Sequence, residues 1–236
     1  MIQFLRKLVD KIIHYDGEAE KIIFYVTDAA KTCGVRVLDA GCGYGRYLQP
    51  IINAGLKATG VEINSQIVSL NRSAGLPCLT VEEFKKSGEM YDVILMAHVI
   101  EHFPPKDLMQ FMDDYLDRLK IGGRLIVATP LATSYFYDDF DHIKPYQPVG
   151  IAMVFGKTSA QVQYYSRNKL TLRDLWFRRS PLRISHTRGR YLRIPQRFIL
   201  IAIDLLAAVA FALTGSLIGT ANGWVGVYEK TGETRQ

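Results

Sequence analysis

Cysteine is scarce in this chain of 236 residues, and its spacing is irregular. The three cysteines, Cys33, Cys42 and Cys78, are odd in number and lack paired metal-ligand spacing. A disulfide scaffold is therefore excluded, and a reducing compartment is expected. The composition, with 48% hydrophobic and 22% charged residues, is that of a globular protein and excludes a disordered or collagen-like chain.

A secretory signal segment is also lacking. Residues 1–15 carry apolar side chains at helical spacing, but Asp10 and Lys11 interrupt any apolar core. The pattern predicts an amphipathic helix lying against the domain, with a membrane-surface helix as the alternative because basic side chains decorate its polar side. A second helix is predicted at residues 18–32, so residues 1–34 are assigned to N-terminal helices that pack on the core.

Short apolar runs alternate with helical patterns over the following hundred residues. Strands are predicted at residues 36–39, 57–62, 77–80, 91–97 and 124–129, with helices at 46–54, 64–74, 82–86 and 106–119. Alternation of this kind predicts an α/β fold, a doubly wound, Rossmann-like sheet of seven strands with helices on both faces. Its last two strands are predicted at residues 161–165 and 223–229. Loops that follow parallel strands share one edge of such a sheet, where ligands bind.

The first predicted strand runs into a glycine-rich turn, DAGCGYG. Gly41, Gly43 and Gly45 let the backbone turn sharply and let a ligand approach without a Cβ atom in the way. Their spacing differs from the G-x-G-x-x-G pattern that accommodates a dinucleotide pyrophosphate. Asp39 would repel a phosphate and attract an amino group, and Glu62 after the second strand can accept both ribose hydroxyls. The pattern predicts a nucleoside that carries an amino acid and no phosphate.

Four motifs resemble, in order and spacing, those of class I S-adenosylmethionine-dependent methyltransferases. They are VLDAGCGYGRY, GVEIN, YDVILMAHVIEHF and LKIGGRLIVATP. The resemblance implies that residues 35–130 form the core that binds S-adenosyl-L-methionine. It also implies that the loop of residues 39–45, including Cys42, holds the methionine part and that Glu62 holds the ribose.

Recognition of adenine departs from the pattern of that family. Thr80 stands where these proteins usually offer an aspartate to the adenine amino group. We therefore expect adenine to be recognised by the backbone of Val81 or by Glu82. Residues of the second and fourth motifs complete the predicted donor-binding set: Ile63, Ala97 and His98.

Methyl transfer to a hydroxyl benefits from a general base, and histidine is the usual one. His142, in the segment DDFDHIKPY after the fifth strand, is the predicted base, with Asp141 or Asp139 to orient or activate it. A hydrogen-bonded loop histidine is the alternative for His142. The resemblance implies that His102 shapes the site around the cofactor.

The carboxylates near this histidine could also bind a metal ion. Asp138, Asp139, Asp141 and Glu101 supply hard oxygens suited to Mg²⁺, as in catechol-type methyltransferases. Adjacent carboxylates in a loop more often form a solvated acidic turn, and no metal is therefore predicted.

Positive charge is concentrated in the last third of the chain. Residues 1–150 hold 16 Lys and Arg against 19 Asp and Glu, whereas residues 151–236 hold 13 against 4. Arginines recur from Arg173 to Arg197, and a 22-residue apolar run with one charged residue then extends from Phe198 to Gly219. This pairing favours an anionic membrane surface as partner, because nucleic acid would explain the arginines but not the apolar run.

The apolar run has more than one structural interpretation. A membrane span is disfavoured, because it would separate the predicted last strand from its sheet. An interfacial or re-entrant helix, with arginines that bind anionic headgroups, is favoured over a buried helix of a substrate domain. Residues 131–236 are therefore assigned to a substrate or lid region that contains this membrane-facing insertion and the last strand.

These features predict a methyltransferase that acts on the oxygen of a membrane-associated acceptor at the cytoplasmic face of the membrane. A lipid-linked sugar, a surface-polysaccharide intermediate or a quinone would fit. The alternatives are a soluble small-molecule methyltransferase and a membrane scaffold that binds the donor without turnover. A nicotinamide-dependent dehydrogenase is the remaining alternative.

Overall fold

The structure is a computed structural model that describes residues 17–156, 162–182 and 197–233. The helix predicted in residues 1–15 lies outside the described residues. So do four arginines of the predicted membrane-binding stretch: Arg183, Arg188, Arg190 and Arg193.

Strands and helices alternate as the sequence predicts. The strands are β1 (Arg36–Ala40), β2 (Lys57–Glu62), β3 (Cys78–Thr80), β4 (Tyr91–Ala97), β5 (Leu119–Pro130), β6 (Asn168–Ser180) and β7 (Thr220–Glu233). The helices are α1 (Glu18–Cys33), α2 (Leu48–Asn53), α3 (Ser65–Ser73), α4 (Val81–Ser87), α5 (Pro105–Leu116), α6 (Pro148–Phe155) and α7 (Arg197–Leu213). Asn64 caps α3 by accepting hydrogen bonds from the backbone N–H groups of Gln66 and Ile67.

The seven strands form one sheet in the order β3-β2-β1-β4-β5-β7-β6. Strands β1 to β5 are parallel, while β7 pairs antiparallel with both β5 and β6. The predicted doubly wound, Rossmann-like α/β fold is confirmed. The direction of winding reverses between β1 and β4, which brings the loops after these two strands together at the carboxyl edge of the sheet.

Two hydrophobic clusters cover the two faces of the sheet. Strand β4 shows the division, because Ile94 and Met96 belong to one cluster and Val93 and Leu95 to the other. The first cluster includes side chains from α4, α5 and α6, and the second includes side chains from α1, α2 and α3. Helices therefore pack on both faces and hold the strand ends in fixed positions.

The sixth strand differs from the prediction. It was expected at residues 161–165 but runs over Asn168–Ser180, inside the arginine-rich stretch. Its charged side chains have partners on neighbouring elements: Arg173 contacts Glu229 of β7, and Arg178 contacts Glu18 of α1. Charged residues at this density suggest a solvated surface, and β6 is an edge strand on which most side chains are at least partly exposed.

Helix α7 is buried along one stripe only. Asp204, Ala208 and Phe211, at helical spacing, are buried, whereas Leu206 and Leu213 are 70% and 82% exposed. The buried-helix interpretation of this segment is therefore wrong for most of its surface. Among the residues that the structure describes, no helix is long and apolar enough to cross a membrane.

Candidate active site

The glycine-rich turn after β1 is fastened to β2 by its backbone. The N–H groups of Gly41 and Cys42 both donate to the carbonyl of Val61, at 2.8 and 3.1 Å. Gly41, Gly43 and Gly45 all have positive φ angles, a conformation that favours glycine. A Cβ atom on Gly43 would meet no protein atom within 4 Å, so this part of the turn faces open space.

Glu62, at the end of β2, is held by two backbone N–H groups. Its Oε2 accepts a hydrogen bond from Gly43 at 3.0 Å, and its Oε1 accepts one from Asn64 at 3.0 Å. Each carboxylate oxygen has a second lone pair. Glu62 is thus fixed beside the glycine turn and can still accept hydrogen bonds from a ligand.

Asp39 lies buried near the end of β1. Its Oδ2 atom has no hydrogen-bond partner among the described residues. Burial and, to a smaller extent, the nearby charge of Glu62 raise the pKa of Asp39 to about 7. A positively charged ligand would supply the missing partner and favour the ionised form.

A cavity of about 430 Å³ opens between these groups and α4 and α5. Among the residues predicted to bind the cofactor, five line it: Gly41, Glu62, Ile63, Val81 and His98. His102, one of the predicted catalytic residues, lines it as well. The sequence motifs therefore converge on one cavity at the carboxyl edge of the sheet.

The other predicted donor-binding residues are placed differently. Glu82 is exposed and does not line the cavity. Cys42 contributes only backbone atoms to the glycine-rich turn, because its thiol lies 3.6 Å from the thiol of Cys78. Ala97 is the last residue of β4 and is half-buried. Thr80 caps α4, because its hydroxyl accepts a hydrogen bond from the N–H of Glu83 at 3.2 Å. The side chain at this position therefore stabilises the helix.

His98 follows β4 in the left-handed conformation, with a φ of 56°. Its Nε2 lies 2.8 Å from Glu18 Oε2, and its Nδ1 lies 3.3 Å from Glu101 Oε1. Burial alone lowers the pKa of His98, but Glu101 and Glu18 together raise it to about 9, so the ring is cationic at neutral pH. Burial would raise the pKa of Glu18, yet His98 and Arg178 hold it below its usual value.

Sequence reasoning missed Glu18. The residue lies in α1, eighty positions before His98 in the chain, and no local motif marks it. It also accepts a hydrogen bond from Arg178 of β6 at 2.9 Å. The position of His98 thus depends on α1 and β6, two segments that are distant from it in sequence.

The structure brings His102 and His142 together, with ring centroids 5.0 Å apart. His142 Nδ1 lies 2.8 Å from the carbonyl of Phe136, and His102 Nδ1 lies 3.1 Å from that of Asp141. A carbonyl oxygen can only accept, so each Nδ1 carries the hydrogen and each neutral ring keeps its lone pair on Nε2.

The acid beside His142 is Asp139, whose Oδ2 lies 3.7 Å from His142 Nε2. Asp141 contributes its backbone instead, since its carbonyl accepts from His102 and its N–H donates to Asp139. Between the two acids that the sequence offered as partners of His142, the geometry therefore favours Asp139.

Glu101 connects the segment after β4 to the loop that carries His142. Its side chain is fully buried, and its Oε2 accepts a hydrogen bond from Thr129 at 3.0 Å. Its backbone carbonyl accepts from Ile143 and Lys144, at 2.8 and 3.2 Å. These contacts fix His142 relative to the donor cavity.

This chain is similar in sequence to known proteins. A family model described as a methyltransferase domain matches residues 1–188. A protein of Rhizobium etli (strain CIAT 652) named ubiquinone biosynthesis O-methyltransferase is 31% identical over 104 residues, which are 41% of each chain. The protein of that name from Rhizobium leguminosarum bv. trifolii (strain WSM2304) is 35% identical over 104 residues, covering 41% of this chain and 40% of the relative. The match spans less than half the length of these relatives.

Solved structures share the fold at low sequence identity. A SAM-dependent methyltransferase from Archaeoglobus fulgidus superposes with a TM-score of 0.59 at 18% identity, covering 95% of this chain and 99% of that one. The magnesium protoporphyrin IX methyltransferase of Synechocystis PCC 6803, with bound SAM, has a TM-score of 0.54 at 13% identity and covers 90% of this chain and 77% of that one.

Proposed function

Because this chain belongs to the class I S-adenosylmethionine-dependent methyltransferase family, we propose that it methylates a hydroxyl of a membrane-associated acceptor. It is an enzyme, and S-adenosyl-L-methionine is its methyl donor. The acceptor, the hydroxyl chemistry and the place of action are the parts that we propose.

The residues of the donor cavity fit S-adenosylmethionine. Gly41 and Glu62 line the cavity, the open space at Gly43 admits a ligand close to the backbone, and the buried carboxylate of Asp39 lies near Glu62. Glu62 would hold the ribose hydroxyls, and the glycine turn would hold the methionine part. Bound there, the cofactor supplies a methyl group on a positively charged sulfur, so that the C–S bond breaks as a bond to the acceptor forms.

A hydroxyl acceptor is supported by the paired imidazoles beside this cavity. A hydroxyl must lose its proton during methyl transfer, and assistance with that proton contributes about 10²–10⁴-fold to the rate. His102 lines the donor cavity, and the ring of His142 packs against His102 with its Nδ1 hydrogen-bonded to the carbonyl of Phe136. This pair is the single observation that carries the proposal, and we assign activation of the hydroxyl to it and to the adjoining Glu101.

An apolar part of the acceptor is supported by a second cavity of about 400 Å³. The segment of residues 144–147, which follows His142, forms one of its walls, and α5 and α6 supply apolar side chains including Leu108, Ile151 and Val154. A quinone precursor has both an aromatic hydroxyl and an apolar chain. Its choice over a lipid-linked sugar or a polysaccharide intermediate is supported by the names of the sequence relatives.

The exposed face of α7 supports action at a membrane surface. Ile199, Leu206 and Leu213 are 63%, 70% and 82% exposed, and Leu217 follows at 77%. The helix leads into β7, whose residue Gly223 pairs with Pro130 at the carboxyl edge of the sheet. The carboxyl-terminal end of this helix therefore lies toward the carboxyl edge of the sheet, and we propose that its apolar face rests on the cytoplasmic face of an anionic membrane.

The direct test is incubation of the enzyme with methyl-labelled donor and a membrane extract. We expect label in lipid material that is extracted into organic solvent, and its release by cleavage specific for methyl ethers. Gly43→Val, which blocks the donor site, supplies the background. Label confined to water-soluble small molecules would favour the soluble methyltransferase alternative, and donor binding without transfer would favour the scaffold.

A further inference from the structure

We propose that the second cavity, between α5 and α6, binds an amphipathic anion whose apolar chain lies inside and whose carboxylate or phosphate group binds Lys144. Lys144 is the one charged residue among the described residues that line this cavity. The other lining side chains are uncharged, and most of them are apolar. A single cation at the wall of an apolar cavity favours a ligand that combines an apolar chain with a negative charge.

The size and lining of the cavity suit an apolar chain. Its volume is about 400 Å³, and small-molecule sites usually have about 300–1,000 Å³ and a mainly apolar lining with a few polar groups that set orientation. Helix α5 contributes Leu108 and Met109, and α6 contributes Ile151, Val154 and Phe155. Contact with these side chains would remove the chain of the ligand from water and so supply most of the affinity.

Lys144 has a fixed backbone and an available charge. Its N–H donates to the carbonyl of Glu101 at 3.2 Å, and its Nζ lies 5.4 Å from the centroid of the Tyr146 ring. The residue is exposed, and among the described residues no carboxylate forms an ion pair with it. An acidic group of a ligand can therefore form a charge-assisted hydrogen bond with the ammonium group.

The acids of the neighbouring segments do not compete at this wall. Asp107 of α5 and Asp141 of the preceding loop do not line the cavity. Burial and, to a smaller extent, the charge of Asp107 raise the pKa of Tyr146 to about 12, so the tyrosine hydroxyl stays protonated and uncharged at neutral pH. Along the described lining, an anion thus meets one cation and no carboxylate.

Tyr146 links the wall of this cavity to the donor cavity. Its hydroxyl donates to the carbonyl of Phe103 at 2.9 Å, and Phe103 lines the donor cavity. Its own carbonyl accepts a hydrogen bond from Trp224 Nε1 at 2.8 Å. The two cavities share no lining residue among those described, so a ligand here would lie next to the donor without displacing it.

That this anion is the methyl acceptor rests on the proposed function, whereas its binding does not. Lys144 follows His142 by two residues, so their Cα atoms lie at most about 7 Å apart. An acceptor whose acidic group binds Lys144 would have its hydroxyl at the same end of the molecule, near His142, and its chain in the cavity. The substrate class is a hydroxylated carboxylic acid or phosphate with a long apolar chain.

The test is calorimetric titration of the full chain with dodecanoate, dodecyl phosphate, dodecanol and dodecyltrimethylammonium, each below its micellar concentration. Saturating S-adenosylhomocysteine keeps these probes out of the donor cavity. We expect at least one anion to bind about 10-fold or more tightly than dodecanol, because a hydrogen bond to a charged group contributes that much. The cationic probe should bind more weakly than dodecanol. A preference for either anion upholds the inference and identifies the acidic group.

Lys144→Gln should remove the preference for the anion and leave the affinity for dodecanol unchanged. Lys106→Gln is the matched control, because Lys106 is an exposed lysine beside the lining residue Pro105 and does not itself line the cavity. Val154→Trp, which fills the cavity from α6, should weaken binding of the anion and of dodecanol by about 10-fold or more. Thermal stabilisation by S-adenosylhomocysteine checks that each variant is folded.

Equal affinity for both anions and dodecanol, equal loss in the two lysine variants, or no binding at all would overturn the inference. Anion binding that depends on Lys144 in a protein that methylates no hydroxyl would uphold this site and overturn the proposed function instead. Methylation of a neutral lipid hydroxyl at the same rate in the wild type and Lys144→Gln, without selective binding of the anions, would overturn the inference and leave the proposed function standing.

Discussion

The two ends of the carboxyl edge are built in different ways. At the donor end, backbone groups dominate: Glu62 is held by the N–H groups of Gly43 and Asn64, and the glycine turn is held by a carbonyl of β2. At the acceptor end, contacts between segments distant in sequence dominate: Glu101 accepts from the side chain of Thr129, and His102 donates to the carbonyl of Asp141. Backbone contacts survive most substitutions, so the donor end can stay constant while the acceptor end changes its substrate.

The largest expected effect is a loss of ligand affinity at the donor end alone. Gly43→Val should lower the affinity for S-adenosylhomocysteine by about 100-fold or more, because valine at a positive φ is strained and its side chain would enter the ligand space. Calorimetric titration measures this loss.

The matched control is Gly75→Val. Gly75 has a φ of 79° and open space around its Cβ position, so it meets the same backbone strain away from the cavity. This variant should lose stability and keep its affinity for the ligand. Equal loss of affinity in both variants would show that backbone strain, and not a side chain in the ligand space, lowers the affinity.

A smaller effect concerns pH at the donor end. The pKa of Asp39 is raised to about 7, so the folded state without donor holds a proton that the unfolded state releases near pH 3.8. The contribution of Asp39 to the free energy of unfolding should therefore fall as the pH rises from about 4 to 7. Asp39→Asn should lack this contribution, so its melting temperature at pH 8 without donor should exceed that of the wild type.

The same substitution should weaken donor binding by about 10-fold, the typical effect of losing a charge-assisted contact. The difference in donor affinity between the wild type and Asp39→Asn should widen from pH 6 to pH 8, as the carboxylate of the wild type ionises. Titrations at the two pH values measure it. A constant difference would mean that the carboxylate does not face the donor's positive charge.

The smallest expected effect lies beyond the acceptor end, on α7. Leu206→Glu should reduce flotation with anionic liposomes by about 5-fold, because a leucine only partly buried at the membrane surface contributes about 1 kcal/mol, less than the roughly 1.5–3 kcal/mol of full burial. Ile121→Glu is the matched control, since Ile121 is 67% exposed in β5 on the opposite side of the sheet. Equal reduction by both substitutions would argue against a specific membrane-facing surface.

The difference between the two ends also explains what the sequence could predict. The donor end follows from local motifs: a glycine turn, an acid at the end of the next strand and alternating elements specify both the fold and the cavity. The acceptor end depends on contacts across the chain. The sequence named His102 and His142, but their pairing requires the tertiary structure, and Glu18 carries no local signal.

The arginine-rich strand was missed for the same reason. β6 is an edge strand that tolerates exposed charge, and its Arg173 and Arg178 also pair with Glu229 and Glu18, which are distant in sequence. Helix α7 shows the converse case. Its composition indicated both a buried and an interfacial helix, and the exposed fractions of its leucines show that much of its surface is not buried within this chain.

Glu18 also bears on the order in which contacts form while this enzyme is synthesised. It bridges His98 beside the donor cavity to Arg178 in β6, and so joins an early, a middle and a late part of the polypeptide. On the ribosome, Glu18 acquires its arginine partner only after β6 has been translated. A polypeptide cut short before β6 would leave Glu18 buried beside His98 without that arginine.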